Sequence, residues 1–249
     1  MNKKSINRFL SKFGFEVHGT GYIQSVKKSD FKQDIFTKQL ELTGNKAEII
    51  FDVGANRGNV TLKYADTFPK SKIYAFEPFE EAFKILSSKS VANPRIHLNQ
   101  IGIAEFTGTK TFYENVNMDT NSTFEPDTMG LSSDNQVKNV SISTIPVITI
   151  DEFCLKHQIN KIDILKMDIQ GGELNALKGA SDLLSKKAVG LIFMETYFRE
   201  QYKNQPLFHD VSKYLHEWGY YVQDFYEPIY GKGSLAWCDV IFMPQSKRK

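Results

Sequence analysis

The segment that most constrains the fold of this chain is EIIFDVGANRG, at positions 48–58. Apolar residues on both sides of Asp52 predict a buried strand, and Gly54 and Gly58 predict a tight turn directly after it. An amphipathic helical pattern and a second strand follow, and that strand ends at Glu77. This order of strand, glycine turn, helix and strand is typical of the first half of a doubly wound nucleotide-binding fold, whose ligands lie beyond the carboxyl ends of the strands.

The residue types at this turn indicate which nucleotide binds. Gly54 lets the backbone approach a ligand, and the Glu77 carboxylate can accept both hydroxyls of a ribose. A dinucleotide site requires a further glycine beside the pyrophosphate, but Asn56 stands at that position. The spacing therefore favours S-adenosylmethionine, which has a ribose and an amino-acid end but no phosphate, over a nicotinamide cofactor. Donor binding is assigned to Asp52, Gly54, Asn56, Gly58 and Glu77. Asp52 is expected either to take the ammonium of the donor, directly or through water, or to bond amides of the turn.

Six sequence blocks extend this pattern along the chain. They are FDVGANRGNVTL, IYAFEPFEEAFKIL, GIAEFTG, ITIDEF, ILKMDIQGGELNALKGA and LIFMET. Together and in this order they resemble the blocks of the FkbM-type S-adenosylmethionine-dependent methyltransferases. The resemblance runs from about Ile49 to Glu195, and more loosely to the C-terminus.

The resemblance implies both an activity and a further donor residue. It implies O-methylation, usually of a hydroxyl on a sugar, polyketide or other secreted or capsular product. We expect the acceptor to be a small molecule or a glycan, nucleotide-linked, lipid-linked or part of a polysaccharide. It also implies that Gly102–Gly108 lies beside the adenine, with Glu105 at the acid position; an acid on a surface turn is the alternative for Glu105.

Three residues are candidates for the base that removes the proton of the acceptor. An aliphatic hydroxyl does not ionise near neutral pH, so a base is expected. Lys166 and Asp168 end the fourth core strand, where charged groups are costly to bury unless they are paired. Asp168 and Glu195 close adjacent strands and are expected to face one pocket. His209 is the third candidate, although it can equally be a residue near a helix start.

The residue at position 170 bears on whether the site holds a metal. Two or three converging carboxylates suit Mg²⁺ or Ca²⁺. The resembling family often carries D-x-E-G-x-E in this block, whereas here it is DIQGGE, with Gln170 in place of an acid. A divalent metal is therefore not favoured, and no metal ligand is assigned.

The strand and helix signals predict an α/β class I methyltransferase-like Rossmann fold with a seven-stranded, mostly parallel sheet and an antiparallel last strand. The domains are a helical extension at 1–47, the methyltransferase domain at 48–245 and a basic tail at 246–249. Pro146 predicts an edge strand, and T-I-D-E predicts a helix capped by Thr149, with Asp151 as a rival cap. The polar segment Met118–Asn139 is expected to be a substrate lid, and EPIYGKGS a hairpin loop.

Composition places the protein in a broad class. The chain has 249 residues, of which 41% are hydrophobic and 24% charged, as in a soluble globular domain. A net charge of +2 gives no reason to expect nucleic acid as a partner. The isolated Cys154 and Cys238 indicate reduced thiols in a cytoplasmic protein, and no apolar run is long enough to span a membrane.

The first fifteen residues allow two interpretations. Ile6, Phe9, Leu10 and Phe13 fall on one helical face with basic residues around it. Such a helix can pack on the domain, or it can bind an anionic membrane surface, which would add peripheral contact at the inner membrane to a cytoplasmic location.

The leading hypothesis is thus an S-adenosylmethionine-dependent O-methyltransferase. One alternative is a nicotinamide-dependent sugar oxidoreductase; Asn56 and the lack of a Tyr-x-x-x-Lys pair count against it. The other is a non-catalytic module that keeps the fold, for which Gln170 is the only support and against which the intact donor loop counts.

Overall fold

A central sheet with helices around it dominates the computed structural model, which describes residues 34–115, 118–125, 139–231 and 233–245. Its helices are α1 (Ile35–Leu42), α2 (Asn59–Thr67), α3 (Glu80–Ser90), α4 (Ile150–Lys156), α5 (Glu173–Lys178), α6 (Ser181–Ser185) and α7 (Phe208–Glu217). Its strands are β1 (Ile49–Val53), β2 (Lys72–Phe76), β3 (Ile96–Asn99), β4 (Gly102–Ile103), β5 (Gly108–Asn115), β6 (Asn139–Ile148), β7 (Ile162–Met167), β8 (Val189–Tyr197), β9 (Tyr220–Gly231) and β10 (Ser234–Pro244).

The larger sheet has the order β3-β2-β1-β7-β8-β10-β9. The first five of these strands are parallel, whereas β10 pairs antiparallel with both β8 and β9. This confirms the predicted seven-stranded, mostly parallel sheet with an antiparallel last strand. The chain order reverses at β1, which lies between β2 and β7. In open α/β sheets ligands bind at such a reversal, outside the carboxyl ends of the strands.

Helices cover both faces of this sheet. All six residues of β7 are buried, which explains its nearly unbroken apolar sequence. The ring of Phe76 packs on Phe153 of α4, at 4.7 Å between centroids, while Ala75 packs with Leu86 of α3. Adjacent residues of a strand point to opposite faces, so α3 and α4 lie on opposite sides of β2.

A second, three-stranded sheet has the order β4-β6-β5. The prediction of an edge strand up to Pro146 is confirmed for that part of β6, because β4 borders only the two residues that follow the proline and the rest of the strand pairs with β5. The proline is tolerated because β4 pairs only with Val147 and Ile148. At Pro146 itself the strand has a β-partner on one side, Thr109 of β5, so its missing N–H costs no ladder hydrogen bond on the open side.

The predicted cap of α4 is confirmed. The Thr149 side chain accepts a hydrogen bond from the Glu152 amide at 3.1 Å. Asp151, the rival, serves another helix: its carboxylate accepts from the amides of Asp182 and Leu183 at 2.8 and 3.1 Å. These amides open α6, so each of the two residues caps one helix.

The predicted hairpin loop EPIYGKGS is wrong in its extent. β9 continues to Gly231 and β10 begins at Ser234, so most of that segment pairs as strand. Gly233 has φ +80° and provides the turn conformation that glycine adopts readily.

Some predicted features lie outside the described residues: the N-terminal helix at 1–15, residues 126–138 of the lid, and the basic tail at 246–249. From Phe36 onward the chain forms one compact unit. Gln39 of α1 is fully buried in it and accepts a hydrogen bond from the Tyr64 hydroxyl at 3.0 Å. Among the helices of the described residues, none is long and apolar enough to cross a membrane.

Candidate active site

Two loops meet at the carboxyl ends of β1 and β7. Gly54 begins the loop after β1 with φ +75°, and a Cβ on it would lie 1.9 Å from the carbonyl oxygen of Asp168. The Asp168 amide in turn donates to the Val53 carbonyl at 3.0 Å. The sequence explained Gly54 by the approach of a ligand. The structure adds a nearer reason, since the backbone of Asp168 occupies the space that any side chain would need.

A buried ion pair lies next to the point where these two loops meet. The Lys166 Nζ is 2.9 Å from Asp52 Oδ1 and donates to the Gly54 carbonyl at 2.9 Å. The Thr61 hydroxyl donates to Asp52 Oδ2 at 2.6 Å. Burial disfavours the Lys166 ammonium, but the charges of Asp52 and Asp168 outweigh it and raise its pKa. Asp52 has no exposed surface, so the structure places it behind Lys166 and not on a wall where it could reach the ammonium of a donor.

A cleft opens beyond β1 and β2, with about 720 Å³ of empty space when its open mouth is included. Glu77, at the end of β2, is 7% exposed on its wall. Its carboxylate accepts hydrogen bonds from the amides of Phe79 and Asn56, at 2.9 and 2.8 Å. Burial raises the pKa of Glu77 to about 7, although these two hydrogen bonds oppose the shift.

Much of the rest of this cleft is apolar. Its apolar wall residues are Val53, Phe76, Pro78, Phe79, Ala82, Ile101, Ile103, Phe112, Ile145 and Ile169. Asn56 is one of its polar wall residues and has φ +47°, a conformation that asparagine tolerates better than most residues. An apolar slot beside a fixed carboxylate suits a nucleoside, with the base in the slot and the ribose at the acid.

A second, polar cavity of about 590 Å³ adjoins the cleft and has Asn56 and Asp168 in its wall as well. Arg57 and Lys166 line it, together with Asn59 at the first turn of α2. A helix N-terminus attracts an anion, and the two basic side chains add to this effect. Since Asp168 supplies negative charge, the cavity can hold both ends of an amino-acid zwitterion.

Residues 118–125 cover part of the cleft. Asp119, Asn121 and Thr123 line it, and the Asn56 Nδ2 donates to Asp119 Oδ1 at 2.8 Å. Asn121 Oδ1 accepts from the Asn115 amide at 2.7 Å, while its buried Nδ2 has no hydrogen-bond partner among the described residues. The described part of the predicted lid therefore borders the pocket that suits a nucleoside.

The two predicted carboxylates come together at the ends of β7 and β8. Asp168 is exposed and lines both cavities, whereas Glu195 lines neither of them, so the two do not face one pocket as expected. The side-chain amide of Gln170 donates to both carboxylates. Burial, together with the charge of Asp168, raises the pKa of Glu195 well above its usual range. Asp168 thus borders the space of both cavities, and Glu195 is linked to it through Gln170.

The family follows from comparison with known proteins. The sequence model of the Methyltransferase FkbM domain matches residues 52–222. The chain belongs to the FkbM methyltransferase family. It is accordingly an S-adenosylmethionine-dependent methyltransferase, which decides between the donors that the sequence left open.

The curated relatives of this FkbM methyltransferase are distant. It is 24% identical over 204 residues to the hexuronic acid methyltransferase AglP of Haloferax volcanii, covering 82% of this chain and 75% of that protein. It is 20% identical over 190 residues to the 2-O-methyltransferase NoeI of Sinorhizobium fredii, covering 74% and 77%. A crystal structure of an FkbM methyltransferase from Methylobacillus flagellatus has the same fold, with a TM-score of 0.50 and 17% identity. That match covers 78% of this chain and 44% of the other.

Several residues predicted for the site lie elsewhere in the FkbM domain. Gly58 has φ +81° and faces Leu86, whose Cδ1 a Cβ would approach to 2.7 Å. Glu105 pairs with Lys110 at 2.9 Å. The His209 side chain is 75% exposed in the first turn of α7. Gly58, Glu105 and His209 line neither cavity.

The sequence did not single out two residues that line the cavities, Arg57 and Asn121, or two acids near Asp168 that line neither, Glu173 and Asp239. Arg57 was overlooked inside the glycine turn, and Asn121 inside a segment without periodicity. Glu173 is buried, accepts from the Ile169 amide at 2.9 Å, and has its pKa raised by burial to about 7. Asp239 pairs in register with Glu195, and burial followed by the charges of Asp168 and Glu227 raises its pKa to about 7. An acid within the apolar strand AWCDVIFMP was the signal that could have revealed Asp239.

Among residues 34–115, 118–125, 139–231 and 233–245, no group of three or more His, Cys, Asp or Glu side chains could hold a metal ion. The donor set around Asp168 instead includes an amide, which binds carboxylates through N–H groups.

Proposed function

We propose that this protein transfers the methyl group of S-adenosylmethionine to a hydroxyl of a sugar or glycan that is nucleotide-linked, lipid-linked or part of a polysaccharide. The observation that carries the proposal is the place of Asp168, whose exposed carboxylate lies on the wall that the two cavities share. Two relatives are a hexuronic acid methyltransferase and a 2-O-methyltransferase, and this supports a sugar oxygen as the acceptor.

The first cleft suits the adenosine part of the donor. Each Glu77 oxygen already accepts one backbone N–H, and a carboxylate oxygen can accept more than one hydrogen bond. The remaining lone pairs can take the two ribose hydroxyls. These backbone contacts fix the carboxylate before any ligand arrives, so little entropy is lost in orienting it. The adenine then occupies the apolar slot.

The second cavity suits the amino-acid part of the donor. Arg57 and the N-terminus of α2 attract its carboxylate, and Asp168 attracts its ammonium. The sulfonium, which joins the adenosine and amino-acid parts, then lies close to Asp168. Lys166 is already paired with Asp52, so its main effect is to hold the Gly54 carbonyl and the loop in place.

Methyl transfer at this point needs alignment and one proton acceptor. The acceptor oxygen attacks the methyl carbon opposite the sulfur; the new C–O bond forms as the C–S bond breaks, and the electron pair goes to sulfur. The proton of the hydroxyl goes to the Asp168 carboxylate, which acts as the general base. Alignment of two bound reactants can supply about 7–11 kcal/mol, and a base about 10²–10⁴-fold in rate.

Calorimetry with S-adenosylhomocysteine, with NADH as the control, tests the donor. We expect the first to bind and the second not to. Mass spectrometry of sugar nucleotides, lipid-linked sugars and oligosaccharides incubated with S-adenosylmethionine then tests the acceptor, with a gain of one methyl group as the expected result. Binding of the donor product without methylation of any sugar, together with methylation of an amine or a thiol, would overturn the acceptor class.

A further inference from the structure

The side-chain amide of Gln170 contacts four neighbours at once. Its Nε2 donates to Asp168 Oδ1 at 2.9 Å and to Glu195 Oε2 at 3.1 Å. Its Oε1 accepts from the hydroxyls of Tyr197 and Tyr202, at 3.1 and 2.9 Å. Both N–H donors of the amide are therefore used. Each phenol has one proton, and Gln170 Oε1 is one of two acceptors within its reach, the others being Glu195 Oε2 for Tyr197 and the Thr120 carbonyl for Tyr202.

The orientation of the amide follows from its partners. An ionised carboxylate can only accept hydrogen bonds, so the NH₂ end must face Asp168, and it then also lies within hydrogen-bond distance of Glu195. The oxygen must then face the two phenols, of which Tyr197 also contacts Glu195. Tyr197 and Tyr202 are 2% and 0% exposed. The network therefore has a rigid, buried end at the phenols and an exposed end at Asp168.

The backbone of Gln170 is also held in an unusual way. Its φ is +52°, in the left-handed region that few residues with a long side chain adopt. The Ser122 hydroxyl donates to its carbonyl at 2.6 Å. Ser122 belongs to the segment 118–125 that covers the cleft. Gln170 thus links the cover of the cleft to the pair of carboxylates.

Two carboxyl groups can share one small space when one of them is neutral, or when a cation or N–H donors lie between them. The raised pKa of Glu195 favours its neutral form, and the NH₂ of Gln170 occupies the place that a cation would take. We propose that Gln170 is a positioning residue, a neutral substitute for a cation that holds the Asp168 carboxylate against the wall shared by the two cavities. The inference rests on the proposed function only in treating Asp168 as the base.

The variant Gln170→Glu tests this without any acceptor. It replaces the two N–H donors by a third carboxylate at nearly the same place, and three converging carboxylates suit a hard divalent cation. We expect the variant to bind Mn²⁺ at least about tenfold more tightly than the wild type does, measured by calorimetry and electron paramagnetic resonance with Mn²⁺ alone. Adding Asp168→Asn should remove the gain.

Gln158→Glu is the matched control. Gln158 is exposed and has φ +55°, so the substitution makes the same chemical change in the same backbone conformation, away from the site. We expect it to leave Mn²⁺ affinity unchanged. Equal Mn²⁺ affinity of the wild type and a folded Gln170→Glu variant would overturn the proposal, because the amide would then not be filling the place of a cation.

Gln170→Asn covers the case in which the glutamate variant does not fold. Asparagine tolerates φ above zero, but it is shorter and cannot reach both carboxylates. We expect kcat to fall by about 10²-fold, with the KM for the donor unchanged and S-adenosylhomocysteine still bound. Wild-type kcat in this variant would overturn the proposal. Failure of the wild type to bind S-adenosylhomocysteine would count against the proposed function instead, so the two failures are distinguishable.

Discussion

Gly54 and Asp168 compete for one volume: a Cβ at position 54 would lie 1.9 Å from the Asp168 carbonyl oxygen. Gly54→Ala therefore forces the two loops apart, in addition to placing alanine at φ +75°. Strained backbone of this kind costs about 1–3 kcal/mol. We predict a loss of unfolding free energy above that range in urea denaturation, and loss of S-adenosylhomocysteine binding in calorimetry.

Gly44→Ala is the control for this variant. Gly44 has φ +59°, and a Cβ there would meet nothing within 4 Å. It carries the backbone strain without the collision, so we expect a loss of about 1–2 kcal/mol and unchanged ligand affinity. Equal losses in the two variants would show that the collision with Asp168 has no effect.

The buried Glu77 makes donor binding dependent on pH. Burial raises its pKa to about 7, so the carboxylate is ionised above that pH and protonated below it. Only the ionised form can accept from both ribose hydroxyls. We predict that the affinity for S-adenosylhomocysteine falls by up to about tenfold per pH unit below the pKa, as measured by calorimetry between about pH 8 and about pH 6.

Two variants test whether Glu77 causes this dependence of ligand affinity on pH. Glu77→Gln should bind weakly at every pH in the range, with the slope removed. Asp239 also has a pKa of about 7 but lines neither cavity, so Asp239→Asn should retain the slope. If the slope disappears in Asp239→Asn and persists in Glu77→Gln, the ribose assignment is wrong.

The ion pair of Asp52 and Lys166 should matter for stability. Lys166→Met leaves a fully buried carboxylate without its partner, and removing one member of a buried pair costs about 3–5 kcal/mol. We predict a loss of this size in urea denaturation, part of which the double variant Asp52→Asn with Lys166→Met recovers. Lys161→Met is the control, because the Lys161 side chain is 64% exposed in its pair with Asp163 and such pairs contribute about 0–1 kcal/mol.

Removal of the proposed base should affect turnover more than binding. Asp168→Asn keeps the size of the side chain and its contact with Gln170, but it cannot accept a proton. We predict a fall in kcat of about 10²–10⁴-fold while S-adenosylhomocysteine still binds. The exposed Asp66→Asn should have wild-type kinetics. Wild-type turnover in Asp168→Asn would transfer the role of base to another residue.

A variant of Arg57 should show which part of the donor this residue binds. If the second cavity holds the amino-acid end, Arg57→Met weakens S-adenosylhomocysteine by about tenfold and leaves the affinity for adenosine unchanged, both measured by calorimetry. The exposed Arg199→Met should change neither. Equal weakening of the two ligands would mean that Arg57 acts through the fold of the loop and not on the amino-acid end.

The features that depend on neighbouring residues were predictable. Gly54 predicted the turn after β1, because glycine is needed where φ is positive and where another part of the backbone leaves no room for a side chain. The cap of α4 by Thr149 was predictable because the capping interaction spans only three residues. The sheet followed from the alternation of apolar strands and amphipathic helices, since that alternation leaves few ways to bury both faces of a parallel sheet.

The contacts between distant residues were not predictable in the same way. Asp52 pairs with Lys166 because the register of β1 and β7 places them side by side, and register across more than a hundred residues of chain leaves no local signal. The contacts of Gln170 could not be predicted from the sequence either. Its replacement of an acid was visible in the sequence and counted against catalysis, whereas the structure places its amide between two carboxylates that need a donor.

The site divides between two parts of the chain, and the antiparallel strand β10 belongs to the second. On the proposed assignment, the adenosine cleft is built mostly from residues up to Thr123, whereas the acids Glu195 and Asp239 lie on the paired strands β8 and β10. Donor recognition and the acids whose pKa values are raised by burial and by the charge of Asp168 therefore come from different stretches of the sequence. Asp168, in the wall of both cavities, is the residue that belongs to both.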